Sequence, residues 1–390
     1  MKALSQKAQS IPASKIRKIF EMVLSHHDLI NFSVGEPDFD TPQNIVEVAV
    51  EKLRSGETRY TSSSGLPILK ETVSKWMNEK KGIHTEPQQI VITQGAMEAL
   101  FLCWKVLLNP GDEVIIGAPF FSNYEGQIIG NDGTLVYVPL KEENDFVMDP
   151  DDLERAITSK TKAILLNSPS NPLGAVIDRP TLERIADIAK KYDLYVVTDE
   201  VYQDFIYEED VEYTSIAALP DMEERTIVVD SFSKSYAMTG WRIGMLAAPP
   251  EIAGLIVKQQ ESVATCVNTA FQYAAVEALT GSQEEKKKML EAFKRRRDLL
   301  VAGINEIPGF SCKPPKGAFY LFVNIKESGF SSEELSRRLI EEAGVAVVPG
   351  NGFSEYGEGY IRMSYVVSEE DIREALKRIK AFMKKVKGTV

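Results

Sequence analysis

The sequence has few of the residues that metal sites, disulfides and redox centres require. Its 390 residues include three cysteines and three histidines. Cys103, Cys266 and Cys312 are far apart and odd in number, which favours buried thiols in a reducing cytoplasm over disulfides or zinc ligands. The histidines form no cluster with metal-ligand spacing, so we expect no metal centre.

Features typical of membrane and nucleic-acid partners are also missing. No apolar run approaches the roughly 20 residues that a membrane span needs. The first ten residues carry lysines but no apolar core of a secretory signal. The formal net charge of -12 disfavours non-specific binding to nucleic acid or to anionic membranes. The length is sufficient for two or three domains with large cores.

Seven short apolar runs between Gln88 and Pro250 alternate with patterns of helical periodicity, such as Met97 to Leu108 and Pro180 to Tyr192. The runs are "QIVITQG", "EVIIGAP", "TLVYVPL", "KAILLNSPS", "LYVVTDEVY", "TIVVDSFSK" and "IGMLAAP". Apolar strands separated by helices indicate a mostly parallel sheet with both faces covered. The prediction is an α/β fold with a mostly parallel seven-stranded sheet flanked by helices.

The pattern changes after Pro250 to long charged helices, with the short strands "AFYLFVNI", "VAVVPG" and "YIRMSY" between them. This change predicts a second, smaller α+β domain. The helices are expected at 284–305, 333–342 and 369–385. We expect three regions: an N-terminal segment, 1–41, without sheet neighbours and packed on the small domain; a large domain, 42–285; and a small domain, 286–390.

In an open α/β sheet, ligands bind beyond the carboxyl ends of the strands. The segments "TQGAM", "APFF", "NSPSNPLG", "TDEVY" and "SFSKS" follow five of the predicted strands and should therefore face one crevice. No strand is followed by GxGxxG, and no GxxxxGK[ST] loop is present, which disfavours a nicotinamide dinucleotide or a P-loop nucleotide. A different anionic ligand is expected.

A phosphate group fits the polar residues at two of these strand ends. Gly95, Ala96 and Met97 lie where a strand turns into a helix, whose N-terminus offers free N–H groups and a positive dipole end. Further hydrogen-bond donors for a phosphate are the hydroxyls of Ser231 and Ser233 and the guanidinium of Arg242. Each feature also has a structural reading: such glycine turns are common, and an arginine often serves as an ion-pair partner.

The remaining strand-end residues suit a heteroaromatic aldehyde. Asp199, beside Tyr202, suits a protonated ring nitrogen, although aspartate is also a common helix N-cap. Asn171 suits a phenolate oxygen, or is a turn residue before proline. Phe121 is a stacking surface or a core residue. Lys234 would then be the Schiff-base lysine rather than a solvated charge, and the ligand pyridoxal phosphate.

The same residues resemble a known family. The motifs, in order, are "SVGEPDFDTP", "YTSSSG", "NSPSNPLG", "TDEVY", "SFSKSYAMTGWRIG", "KGAFYLF", "VAVVPG" and "YIRMSY". Through them the whole chain resembles the class I, fold-type I pyridoxal-phosphate-dependent aminotransferases, in the subgroup of bacterial and archaeal aspartate and aromatic aminotransferases. Asp230, before "SFSKS", departs from the asparagine common at that position.

The resemblance assigns an expected function to each candidate residue. Lys234, Asp199 and Tyr202 would be the catalytic residues, with Asp199 at the ring nitrogen and Tyr202 and Asn171 at the ring oxygen. Arg362 would bind the substrate α-carboxylate, whereas the alternation of "YIRMSY" alone would favour an edge-strand arginine that faces solvent. The other residues implied are the cofactor-binding Gly95, Ala96, Met97, Ser231, Ser233 and Arg242; Phe121 and Asn171, which would contact both cofactor and substrate; Gly35 beside the substrate; and Tyr60, which would reach the phosphate of a neighbouring subunit in a homodimer.

The reaction implied is ping-pong transamination. An L-amino acid, such as aspartate or an aromatic donor, would displace Lys234 from its aldimine with pyridoxal phosphate, and a 2-oxo acid such as 2-oxoglutarate would be the acceptor. Two alternatives stay open at this point: a carbon–sulfur β-lyase on the same fold, and a non-catalytic regulator that binds pyridoxal phosphate. The motifs do not identify the preferred donor.

Overall fold

A computed structural model describes residues 2–12, 23, 28–208 and 210–387 of the chain. The strands are β1 Ile30–Asn31, β2 Ile90–Thr93, β3 Glu113–Ala118, β4 Thr134–Pro139, β5 Thr161–Asn167, β6 Tyr195–Asp199, β7 Thr226–Ser231, β8 Gly244–Ala247, β9 Tyr320–Asn324, β10 Val345–Ala346, β11 Val348–Pro349 and β12 Tyr360–Ser364.

The α-helices are α1 Gln6–Ser10, α2 Gln43–Arg54, α3 Pro67–Trp76, α4 Gly95–Leu107, α5 Asn123–Gly130, α6 Pro150–Arg155, α7 Arg179–Lys191, α8 Phe232–Ser235, α9 Pro250–Val263, α10 Thr269–Thr280, α11 Glu284–Asn305, α12 Ser332–Arg338 and α13 Glu369–Lys387. Helix α3 continues into a π-helical turn, Met77–Lys81, and α12 into a second one, Leu339–Ala343. None of the helices within the described ranges is both long and apolar enough to cross a membrane.

The seven predicted apolar runs form one sheet in the order β2-β8-β7-β6-β5-β3-β4. Strand β8 is antiparallel to both of its neighbours, while the other pairs are parallel. Alternate residues of a strand pack on opposite faces: Val114 and Ile116 lie in one core, and Ile115 lies in another. Helices cover both faces, so the predicted α/β architecture is confirmed.

The C-terminal region forms a separate three-stranded antiparallel sheet in the order β11-β12-β9. Helix α11 begins at Glu284, as expected, and its buried Met289, Phe293 and Leu300 lie in the hydrophobic core of this region. Helix α13 packs beside α11. The domain boundaries themselves remain predictions.

The N-terminal segment differs from the expectation in its strand pairing, while its packing on the small domain stays a prediction. Strand β1 pairs in parallel with β10, with Ile30 opposite Val345, so the expected lack of sheet neighbours is wrong. A two-residue strand carries no readable periodicity, and only folding brings its distant partner alongside. Helix α1 lies against α5, and Lys7 forms an ion pair with Asp132. Residues 13–22 and 24–27 of the segment, including two of the histidines, lie outside the described residues.

Candidate active site

A cavity of about 320 Å³ lies at the carboxyl ends of β5, β6 and β7, where the second domain meets the sheet. Strand ends from one sheet, helix α8 and β12 of the second sheet all contribute side chains to it. Its walls are formed by Ser33, Gly35, Ala96, Met97, Leu100, Phe121, Tyr124, Asn167, Asn171, Asp199, Val201, Tyr202, Ser231, Ser233, Lys234, Thr239, Arg242, Tyr320 and Arg362. Twelve sequence-predicted residues are among them, although they are scattered along the chain.

Lys234 lies on the short helix α8, which begins directly after β7. Ser231 caps this helix by accepting a hydrogen bond from the Ser233 N–H at 3.0 Å. The Lys234 Nζ donates to the Gly35 carbonyl oxygen at 2.6 Å. Burial lowers the pKa of Lys234 to about 8, and the nearby Arg362 and Arg242 act in the same direction. A buried lysine with a lowered pKa is suited to nucleophilic attack and to proton transfer near neutral pH.

Asp199 ends β6 with a buried carboxylate. Its Oδ2 accepts a hydrogen bond from the Tyr124 hydroxyl at 2.7 Å, and its Oδ1 accepts one from the Val201 N–H at 3.3 Å. Burial raises the pKa of Asp199 to about 6, while the two hydrogen bonds act against this rise. A buried carboxylate without a cation bound to it is suited to hold a protonated ring nitrogen.

The N-terminus of α4 forms a close-packed cradle with Arg242. Gly95 has a φ of +74°, and a Cβ at this position would lie 2.6 Å from a guanidinium nitrogen of Arg242. A Cβ at Gly244 would come within 2.6 Å of the Gly95 backbone. Only glycine leaves this room, so the backbone N–H groups of α4 and the guanidinium converge. The arrangement fits a phosphate group.

Arg362 is buried in the central strand of the second sheet, so it is not the solvent-facing edge arginine that its strand pattern alone would favour. Its Nη2 donates to the Ser33 carbonyl oxygen at 2.7 Å, and its Nη1 donates to Asn171 Oδ1 at 3.1 Å. The guanidinium stacks on the rings of Tyr320 and Phe353, with centroids 4.5 and 4.9 Å away. Its Nε has no hydrogen-bond partner among the residues that the structure describes. The fork therefore keeps a donor for a carboxylate.

Of three further predicted residues, Phe121 and Tyr202 line the cavity, and Tyr60 lies outside it. Phe121 lines the cavity and packs edge-on against Tyr124, with ring centroids 5.5 Å apart. The Tyr202 hydroxyl lies 2.8 Å from that of Tyr320. Tyr60 does not line the cavity of its own chain; it is 87% exposed.

Several lining residues were not predicted from the sequence. Tyr124 lies in "PFFSNYEGQ" and Tyr320 in "KGAFYLF", and neither pattern reveals which hydroxyl reaches Asp199 or Tyr202. Asn167 holds the Asn171 backbone N–H through its Oδ1 at 2.9 Å. Its place at a strand end was the one signal that could have identified it. Thr239 lines the cavity and donates to Glu36 at 2.8 Å.

A larger cavity of about 720 Å³ lies beside α5 and the loop after β11. It shares Met97 with the smaller cavity, but the described residues that line it include no lysine or arginine. It therefore lacks both an amine nucleophile and a cation for a carboxylate or phosphate. The smaller cavity has both groups, in Lys234 and in Arg242 and Arg362.

Comparison with known proteins identifies the family. The model of "Aminotransferase class I and II" matches residues 27–379. This chain belongs to that family. It is similar to an aspartate aminotransferase of Pyrococcus abyssi, with 43% identity over 99% of this chain and 100% of the relative. It is also similar to aromatic-amino-acid aminotransferase 2 of Thermococcus litoralis, with 42% identity over 99% of each chain.

Solved structures that resemble this aminotransferase belong to the same family. The aspartate aminotransferase of Thermus thermophilus with maleate superimposes with a TM-score of 0.93 at 36% identity, over 98% of this chain and 100% of that one. The family and these relatives imply pyridoxal 5'-phosphate as the cofactor and transamination as the reaction. They do not favour the carbon–sulfur lyase or the non-catalytic regulator. The cradle at α4, the buried Asp199 and the cavity-lining Lys234 fit this cofactor.

Proposed function

We propose that this enzyme transfers the amino group of aspartate, an aromatic or a related L-amino acid to a 2-oxo acid such as 2-oxoglutarate. The observation that carries the proposal is the shared cavity of Lys234 and Arg362. The amine that moves protons and the guanidinium that binds a carboxylate face the same space, with Asp199 and the α4 cradle in its walls. The Cα and the carboxylate of an α-amino acid are directly bonded, so a single bound substrate must reach both the amine and the guanidinium.

The cofactor, when bound, supplies an electron sink for the electrons released at the substrate Cα. Lys234 would hold the cofactor covalently and, once released, carry the proton from the Cα. Asp199 would keep the ring nitrogen protonated, and Tyr202 and Asn171 would donate to the ring oxygen. Gly95, Ala96, Met97, Ser231, Ser233 and Arg242 would bind the phosphate. Phe121 would stack on the ring, with Gly35 beside the substrate.

The charges in the cavity support a donor range wider than dicarboxylates. Among the described residues that line it, the cations are Lys234, Arg242 and Arg362. Each of these cations already has a proposed partner in the cofactor or in the substrate α-carboxylate. No described cation of the cavity is then left to bind a carboxylate on the side chain of the substrate. The aromatic rings in the same walls, including Phe121 and Tyr124, offer apolar area to an aromatic side chain.

A panel of amino donors with 2-oxoglutarate as acceptor tests the proposal. We expect glutamate formation with aspartate, with aromatic donors, or with both. N-acetyl-diaminopimelate belongs in the panel as a related donor. A cysteine conjugate serves as the control for lyase chemistry, because β-elimination would release pyruvate. No turnover with any of these donors would contradict the proposed substrates.

We also propose a homodimer in which Tyr60 donates to the phosphate of the partner subunit. The 87% exposure of Tyr60, outside the cavity of its own chain, supports this arrangement. Sedimentation should give the mass of two chains, and Tyr60→Phe should lose cofactor affinity without changing that mass. A monomer with full activity would exclude shared sites. A cytoplasmic location is supported by the three free cysteines.

A further inference from the structure

A buried cluster of charges lies beside the cofactor site but outside its cavity. The Lys81 Nζ lies 2.8 Å from Glu200 Oε2 and 2.7 Å from Asp230 Oδ2. The three side chains are no more than 2% exposed. The π-helical turn Met77–Lys81 at the end of α3 places Lys81 there, and Trp76 stacks over its ammonium group at 5.1 Å. π-helical turns are rare and are often found at functional sites.

The two carboxylates are chain neighbours of proposed cofactor-binding residues. Glu200 directly follows Asp199, and Asp230 directly precedes Ser231. Strands β6 and β7 are paired here, and the Glu200 N–H continues the ladder by donating to the Val229 carbonyl oxygen at 2.9 Å. Two carboxylates at adjacent strand ends would repel each other without a cation between them. Lys81 thus joins the two strand ends.

The remaining oxygens of the cluster are hydrogen-bonded. Glu200 Oε1 accepts from the Ser215 hydroxyl at 2.5 Å and from the Thr198 hydroxyl at 3.2 Å. Asp230 Oδ1 accepts from the Ser231 N–H at 2.7 Å. The titratable groups that face the cluster from the packed elements also include Asp199 and Tyr213.

Two carboxylates and one ammonium leave an excess negative charge in a buried site. Burial raises the pKa of Asp230 to about 7, although Lys81 opposes the rise, so the full excess charge is present only above about pH 7. The raised pKa of Asp199 comes chiefly from burial, and the charge of Glu200 adds to it. Glu200 is therefore within electrostatic reach of the carboxylate proposed to hold the ring nitrogen.

We propose that Lys81, Glu200 and Asp230 are positioning residues for the cofactor. Lys81 fixes the ends of β6 and β7 so that Asp199 and Ser231 stand at the separation that a ring nitrogen and its phosphate require. The excess negative charge adds to that of Asp199 and stabilises the protonated ring. This inference rests on the proposed functions of Asp199 and Ser231.

The variant Glu200→Gln tests the electrostatic part with little structural change. The glutamine carbonyl oxygen can accept from Lys81, and its NH₂ group can donate to the hydroxyls of Ser215 and Thr198. These three hydrogen bonds can therefore be kept while the excess charge disappears. At an effective dielectric constant of about 20, one nearby charge shifts a pKa by on the order of one unit. Glu183→Gln, on the exposed face of α7, is the matched control for net charge.

The measurement is the protonation of the cofactor's ring nitrogen in the holoenzyme, followed over a range of pH by NMR of cofactor labelled with ¹⁵N in the ring, together with cofactor affinity. We expect the apparent pKa of the bound cofactor to fall by about one unit in Glu200→Gln and to stay unchanged in Glu183→Gln. An unshifted titration in Glu200→Gln would overturn the electrostatic part. If the wild-type protein itself neither bound the cofactor nor turned over, the proposed function would fail instead.

Lys81→Met tests the clamp. Because two carboxylates then face each other unpaired, we expect at least a tenfold loss of cofactor affinity, roughly the factor that 1.4 kcal/mol gives. The double variant Lys81→Met, Glu200→Gln should recover part of it, and it remains informative if the single variant does not fold. Wild-type affinity in Lys81→Met, or no recovery in the double variant, would overturn the clamp.

Discussion

Replacing Arg362 with lysine tests how the substrate carboxylate is held. Lysine keeps the positive charge but loses the planar fork, which grips a carboxylate with two parallel hydrogen bonds. In the structure the fork is buried between the rings of Tyr320 and Phe353. It also donates to Ser33 and Asn171. Arg362→Lys therefore changes the number and direction of donors while conserving the charge.

The magnitude follows from these contacts. A hydrogen bond to a charged group contributes about 1.5–3 kcal/mol. The partly buried Ser33 carbonyl oxygen would lose its guanidinium donor as well. A loss of about 2–4 kcal/mol in transition-state binding corresponds to roughly a 30- to 1,000-fold fall in kcat/KM. Cofactor affinity should change far less, because the phosphate cradle is formed by the N-terminus of α4 and Arg242 and includes no residue of β12.

The assay compares kcat/KM for several amino donors with the dissociation constant of pyridoxal phosphate, for wild type and Arg362→Lys. Arg373→Lys is the matched control, because its side chain is 66% exposed and outside the cavity. Comparable kcat/KM values for wild type and Arg362→Lys across the donors would refute the reasoning. The carboxylate would then be held by another group.

Three further predictions concern Lys234 and Asp199. Lys234→Ala should retain cofactor binding but lose at least about a hundredfold in turnover, because the proton carrier is gone; near-normal turnover would contradict its assignment. Folding raises the pKa of Asp199 from 3.8 to about 6, so the folded state binds this proton more tightly than the unfolded chain. Asp199 therefore destabilises the cofactor-free protein above about pH 6, by about 3 kcal/mol, and the penalty disappears as the pH falls to about 4. Thermal unfolding of Asp199→Asn should show a gain over wild type at pH 7 that shrinks at pH 4; a pH-independent difference would contradict the raised pKa. Tyr124→Phe removes the 2.7 Å hydrogen bond that lowers the pKa of Asp199. The pH above which Asp199 destabilises the protein by its full amount should therefore rise by about one unit. An unchanged pH would show that this hydrogen bond does not lower the pKa of Asp199.

Much of the fold could be predicted because its signals are local. The apolar runs and the helical periodicity gave the seven strands of the main sheet, and the charged pattern gave α11 its observed bounds, Glu284–Asn305. The expected helix at 333–342 is an α-helix only to Arg338 and then a π-helical turn. The pairing of β1 with β10 could not be predicted, because each of these strands has only two residues.

The candidate site was predicted where one motif carries several polar groups at a strand end. Lys234, Asp199 and Asn171 were found in this way, and the structure places all three around one cavity. Tyr124 was missed because a tyrosine in a helix gives no sign of which acceptor its hydroxyl reaches. Arg362 required the family resemblance, since its strand pattern alone fits a solvent-facing edge strand.

The sequence by itself determined the elements, their order and the chemical types of the groups at the strand ends, because those depend on neighbouring residues. The tertiary structure decided which of these groups meet. Lys81 illustrates the difference: it is one of two adjacent lysines in the sequence, and only the π-helical turn of the folded chain buries it between Glu200 and Asp230. Burial also sets the acidity of Asp199 and Lys234. Desolvation and charge partners come from segments distant in sequence, so these properties exist only once the chain has folded.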